Sequence, residues 1–136
     1  MLTSQRPRDV IQLAWLTARA WIGLAAFDLA LLAGFARVHE RLRRQAVRKH
    51  TGASQLAPEH VVWAVDEACV WYVKRAACLQ RSVVTTRLLR RYGVRADLVI
   101  GYRPIPFESH AWVEVDGRVV NDRPQYQKFF AVLERL

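Results

Sequence analysis

His110-Ala111-Trp112-Val113-Glu114-Val115-Asp116-Gly117, running on into Arg118-Val119-Val120-Asn121-Asp122, decides the fold. Residues 110–115 read as a strand, Asp116-Gly117 is a hairpin turn, and residues 118–122 read as the returning strand. Just upstream, residues 96–102 form another run of period two, with Pro104 and Pro106 marking a loop. Before Gly93 the apolar residues recur at helical spacing instead, so the chain predicts an α+β fold in which helices precede a small antiparallel sheet.

Moving towards the N-terminus, a helix is expected from Cys78 to Tyr92, stopped by Gly93. Leu79, Val83, Leu88 and Tyr92 should face inward and Arg81, Arg87, Arg90 and Arg91 outward. Pro58 opens an earlier helix carrying Val61, Val65, Ala68, Cys69 and Tyr72 on one face, after a break at Thr51-Gly52-Ala53-Ser54. The first fifty residues read as two packed helices, the second starting near Leu24 and running through Leu31, Phe35, Val38 and Leu42 into a basic end. The tail from Phe129 to Leu136 suits either a short helix or a strand.

At 136 residues and 52% hydrophobic content the chain fits one domain, 1–136, made of an N-terminal helical segment (1–50) and a core (58–136). Its net charge of +9 implies a surface that attracts anions. Two cysteines are too few for a disulfide framework and, with no export signal evident, suggest the cytoplasm. Val10 to Ala36 is apolar, but Arg19 and Asp28 leave no uncharged run near the ~18 residues of a membrane span; peripheral membrane contact is the lesser alternative. Trp15, Trp21, Trp63, Trp71 and Trp112 lie in apolar contexts rather than interleaved with arginine, which argues against nucleic acid. No residue spacing suits a metal and no glycine-rich phosphate loop exists, so no metal or cofactor is expected.

Cys78 would occupy a helix start, where unpaired N–H groups and the helix dipole favour a thiolate; Cys69, on an apolar helix face, reads as a small buried hydrophobe. Taken alone, Cys78 admits a catalytic and a structural reading equally. A thiolate needs a base, and of four histidines His39, His50 and His60 read as surface residues, whereas His110 opens a strand at the rim of a sheet. Asp122 ends the next strand, a position aspartate also takes for turn reasons alone.

Together, Cys78-Leu79-Gln80-Arg81, the helix end Leu88 to Gly93, the strand Leu98-Val99-Ile100-Gly101, and His110 to Gly117 with Asp122 resemble the transglutaminase-like (papain-like) leader peptidases of lasso-peptide biosynthesis. The resemblance covers about residues 58–122; relatives often have proline where this chain has Gln80. It implies a transglutaminase-like core with the catalytic cysteine at a helix N-terminus packed on the sheet. It also implies Cys78 as nucleophile, His110 as base and Asp122 as the group orienting the histidine. The expected activity is removal of the leader from a ribosomally made precursor through a thioester. The expected partners are that precursor, a small leader-recognition protein, since this chain looks like the split form, and an ATP-dependent macrolactam synthetase. The rival readings are acyl transfer to an amine, and a non-catalytic basic module gripping nucleic acid or an acidic protein.

The triad constrains the hairpin. A two-residue Asp116-Gly117 turn in an unbroken ladder would set Ala111, not His110, opposite Asp122. A three-residue loop, Val115-Asp116-Gly117, pairs Glu114 with Arg118 and His110 with Asp122, about 5 Å apart at Cβ. The expectation is therefore that bulged loop, or failing it a bulge elsewhere between the two residues.

Overall fold

The computed structural model describes residues 7–47 and 56–136; the expected break at Thr51 to Ser54 and the surface reading of His50 lie outside them. In chain order the elements are α1 (Pro7–Leu32), α2 (Phe35–Arg44), α3 (Pro58–Trp71), α4 (Cys78–Arg91), β1 (Asp97–Pro104), β2 (Phe107–Val115), β3 (Arg118–Val119), α5 (Tyr126–Phe129) and β4 (Ala131–Arg135). Helices first and an antiparallel sheet after them make the α+β class expected from the change of period.

The N-terminal segment holds two helices, but they divide at Gly34 (φ 101°) rather than near Leu24. Gly23 stays within α1, where a Cβ would come 3.0 Å from Val84 Cγ1; glycine there allows α1 to approach α4 closely. The buried stripe of α1 is narrow: Leu16, Ala20, Leu24 and Phe27 pack inward, while Ile11, Trp15, Ile22, Leu29 and Leu32 are exposed. Residues Asp9–Leu32 are long and apolar enough to cross a membrane by length and composition, a property that core helices share. Trp15, Trp21, Trp63 and Trp71 are also exposed; only Trp112 of the five tryptophans is buried.

Ala20 and Leu24 of α1 meet Val61, Val65 and Ala68 of α3 and Val84, Leu88 and Leu89 of α4 in one cluster, which Val113 joins from the sheet. The sheet runs β3-β2-β1-β4, antiparallel at each pairing. Because side chains alternate along β2, Ala111 and Val113 face α4, and His110, Trp112 and Glu114 face the other way. Trp112 there packs with Val99 and Phe130, so both faces of β2 are covered. The undecided tail from Phe129 forms a strand, β4, added to β1; the short helix α5 ends at Phe129, where that tail begins.

Arg90 departs from the expected outward placement. It is 7% exposed, and its guanidinium donates to the carbonyls of Ala96, Leu42 and Leu136, each at 2.8 Å. One planar fork thus ties the end of α2, the start of β1 and the C-terminus together, which helical periodicity does not register.

Candidate functional site

The hairpin closes on two residues. Val115 pairs with Arg118 and Glu114 with Val119, and Asp116 (φ 51°) and Gly117 (φ 74°) both take positive φ, as a primed two-residue turn requires. The expected three-residue loop does not form. The Val120 N–H still donates to the Val113 carbonyl at 2.9 Å, but the next rung is replaced: the Val113 N–H donates to the Asn121 side-chain oxygen at 2.8 Å. The returning strand bends there and leaves the ladder, so β3 is shorter than the expected 118–122. Departure from the ladder past Val120 performs the office that a bulge was expected to perform. His110 Nε2 and Asp122 Oδ2 are 2.9 Å apart.

Both side chains are largely shielded, at 17% and 16% exposure. The His110 ring lies 4.4 Å from that of Tyr126 and 5.8 Å from that of Phe130, with Trp112 at 6.4 Å, centroid to centroid. A carboxylate only accepts, so Nε2 carries the proton in this contact and Nδ1 of the neutral ring keeps its lone pair. Asp122 Oδ1 accepts from the Arg123 N–H at 2.9 Å.

Cys78 begins α4, preceded by Ala77 in extended conformation, and is a free, half-buried thiol packed beside Phe27, Val83, Leu98 and Ala111. Four hydrogen bonds fasten its helix to the hairpin. Ser82, one turn further on, donates to the Ala111 carbonyl at 3.0 Å; the Asn121 amide donates to Ser82 Oγ at 3.0 Å; and Arg81 Nη2 reaches the Asn121 carbonyl at 2.8 Å and Asp122 Oδ2 at 3.0 Å. Asp122 Oδ2 therefore serves both His110 and the helix that Cys78 opens. Arg81 was expected outside. It is instead drawn in by Asp122, Asn121 and, more loosely, Asp66 at 3.5 Å.

Gln80 is buried and donates to the Leu24 carbonyl at 3.0 Å, within a regular first turn of α4. Nearby, Tyr72 donates to Asp28, which also pairs with Lys74 at 2.6 Å. Burial and the Asp28 hydrogen bond push the Tyr72 hydroxyl up to about 12. These contacts pin the segment entering Cys78 onto α1.

Cys69 packs beside the main cluster, as its apolar helix face implied, and burial pushes its thiol up despite Arg81. His60 is exposed as expected, whereas His39 is half-buried with Nε2 2.8 Å from Glu134. Glu114 is the residue that sequence reasoning passed over. Only 3% exposed, it accepts from Trp112 at 2.9 Å, Gln127 at 2.9 Å and Arg135 at 2.6 Å. Burial opposes its charge, and these three donors outweigh burial and hold its carboxyl below the usual range. Through Glu114, α5 and β4 are held over the face from which His110 projects.

A helix opened by cysteine, laid on an antiparallel sheet whose second strand carries a histidine paired with an aspartate just beyond the third, is an arrangement found in papain-like and transglutaminase-like proteins. The model of the transglutaminase-like superfamily matches residues 14–135, and the chain belongs to that superfamily. Among curated proteins, the microcin J25-processing protein McjB of Escherichia coli is 40% identical over 62 residues, 46% of this chain. The matched segment is 30% of McjB, so the chain covers under a third of that relative. No solved structure matches the chain.

Proposed function

We propose that this protein is a cysteine peptidase that removes the leader from a ribosomally made lasso-peptide precursor, with Cys78 as nucleophile, His110 as base and Asp122 as its orienting group. The observation that carries the reading is the sharing of Asp122 Oδ2 between His110 Nε2 and Arg81 of the Cys78 helix. With Nε2 engaged, Nδ1 is the nitrogen left to exchange a proton with Cys78. The thiolate attacks the scissile carbonyl, and His110 passes a proton to the departing amine as the C–N bond breaks. Water, deprotonated by the same nitrogen, then cleaves the thioester and regenerates the thiol. The Cys78 backbone N–H, at a helix start, is the natural donor to the developing oxyanion.

Likeness to a microcin-processing protein supports maturation of a peptide as the setting. In this reading the cytoplasmic partners are the precursor, a small protein that recognises its leader, and an ATP-dependent synthetase that closes the macrolactam after cleavage. The test is to mix the chain with the precursor encoded beside it and the leader-recognition protein, and to weigh the products. Separate leader and core masses are expected; an unchanged precursor, or a product joined to an added amine instead of water, would contradict hydrolysis.

A further inference from the structure

The second half of α4 forms one wall of a groove whose other wall is α1, away from the His110–Asp122 pair. It encloses about 330 Å³, with Ile22, Phe27, Val84 and Leu88 among its apolar lining. Trp15, 58% exposed, stands at its side with Arg19 5.2 Å over its ring. Arg87 and Arg91 project from α4 along the other side, and among the described residues no acidic side chain lines the groove. Among the described residues, none of Arg19, Arg41, Arg87 and Arg91 forms an ion pair. Burial lowers the basicity of Arg87, and repulsion from Arg91 and Arg41 adds to it, so the cluster opposes itself in the free protein.

One further atom points to an occupant. The Gln45 side chain, at the groove wall, donates to the Arg87 carbonyl at 3.2 Å, while its Oε1 is buried and accepts from nothing among the described residues. We propose that this groove receives an amphipathic helix of a partner polypeptide, its apolar face on the floor and its carboxylates against Arg19, Arg87 and Arg91. Two walls that are themselves helices, spaced to leave an apolar trough, offer a third helix ordinary packing. Carboxylates relieve the arginine repulsion, and a donor on the partner satisfies Gln45. A lipid surface needs no concavity and its acyl chains bring no donor for Gln45. A nucleic acid backbone would leave the apolar floor uncovered.

The test pans the full chain against a displayed library of random peptides of about 16 residues, enough for some four helical turns. Enriched peptides are expected to carry apolar residues at i, i+3 or i+4 and i+7 with Asp or Glu beside them. Fluorescence polarisation should show them bound about tenfold more weakly by Arg87→Glu/Arg91→Glu. That variant, panned afresh, should enrich Lys- and Arg-bearing peptides, a reversal that a misfolded protein could not produce. Ala26→Trp should block the acidic peptides with the circular dichroism unchanged. No enrichment, enrichment of neutral or basic peptides by the unaltered chain, or indifference of acidic peptides to charge reversal would overturn the proposal. So would vesicles of phosphatidylglycerol, single-stranded DNA or self-association claiming the groove in preference to the peptides.

Discussion

Asp122 lies 2.9 Å from His110 although the turn that joins their strands sets the ladder so that Ala111, not His110, would stand opposite it. The mismatch is resolved by Asn121. Its side chain takes the hydrogen bond of Val113 that the backbone would have taken, which releases the next residue from strand geometry. The same amide binds Ser82 on the helix of Cys78, so one buried residue sets both the approach of Asp122 and the seating of α4.

Asn121→Ala should consequently cost about 1–3 kcal/mol of stability, chiefly through the buried Val113 N–H left without its acceptor, while the Ser82 hydroxyl loses a donor but keeps the Ala111 carbonyl. In the proposed enzyme it should also lower the rate constant for cleavage more than it raises KM. Denaturant unfolding and steady-state kinetics check both; a variant as stable and as fast as the unaltered protein would detach Asn121 from the site.

Gly101 pairs with His110 across the sheet, and a Cβ there would lie 2.6 Å from Cη2 and 2.7 Å from Cζ3 of Trp112. The indole is fully buried and cannot swing clear. Gly101→Ala is expected to destabilise by roughly 1–3 kcal/mol, the usual cost of overpacking, and to disturb the ring stack around His110. Thermal melting reads the first effect and the His110 imidazole NMR signals the second; no change in either would mean that the strands shift freely.

Much of this was legible from residue types. The switch of period at Gly93, the helix opened by Cys78 and the Asp-Gly turn each rest on local chemistry and lie where that chemistry put them, but β3 is shortened and β2 begins at Phe107, so His110 lies within the strand opposite Gly101 and does not open it at the rim as expected. The pairing of His110 with Asp122 could be demanded from parity, but not its means, because a side chain replacing a ladder rung leaves no periodic trace. The inward turn of Arg81 and Arg90 was hidden for a similar reason. Helical spacing sorts residues by face, whereas these two are drawn in by carbonyls and a carboxylate from distant segments. Glu114 looked like an ordinary polar position on an alternating strand until α5 and β4 were seen to cover it.

The Glu114 carboxyl makes a pH prediction. Its folded pKa is lowered, so it contributes stability above its unfolded value, near the ordinary 4.3, and loses that contribution as pH falls through the lower folded value. Glu114→Gln should be less stable than the unaltered chain at pH ~7, and the gap should close on acidification through about pH 4 and below. A gap that is constant with pH would show that the charge of Glu114 does not matter.

Cys78 should react with iodoacetamide faster than Cys69 at neutral pH. One thiol stands at a helix start; burial raises the other and holds it in the thiol form. Peptide mapping after timed alkylation measures both rates in one sample, and equal rates in the folded protein would count against Cys78.

Cleavage by Cys78→Ala bears most directly on the whole account. With the precursor and the leader-recognition protein present, the variant should keep the native circular dichroism and release leader about 10⁴-fold more slowly or not at all, as expected when a nucleophile is removed. Release at the rate of the unaltered chain would contradict the proposed mechanism outright.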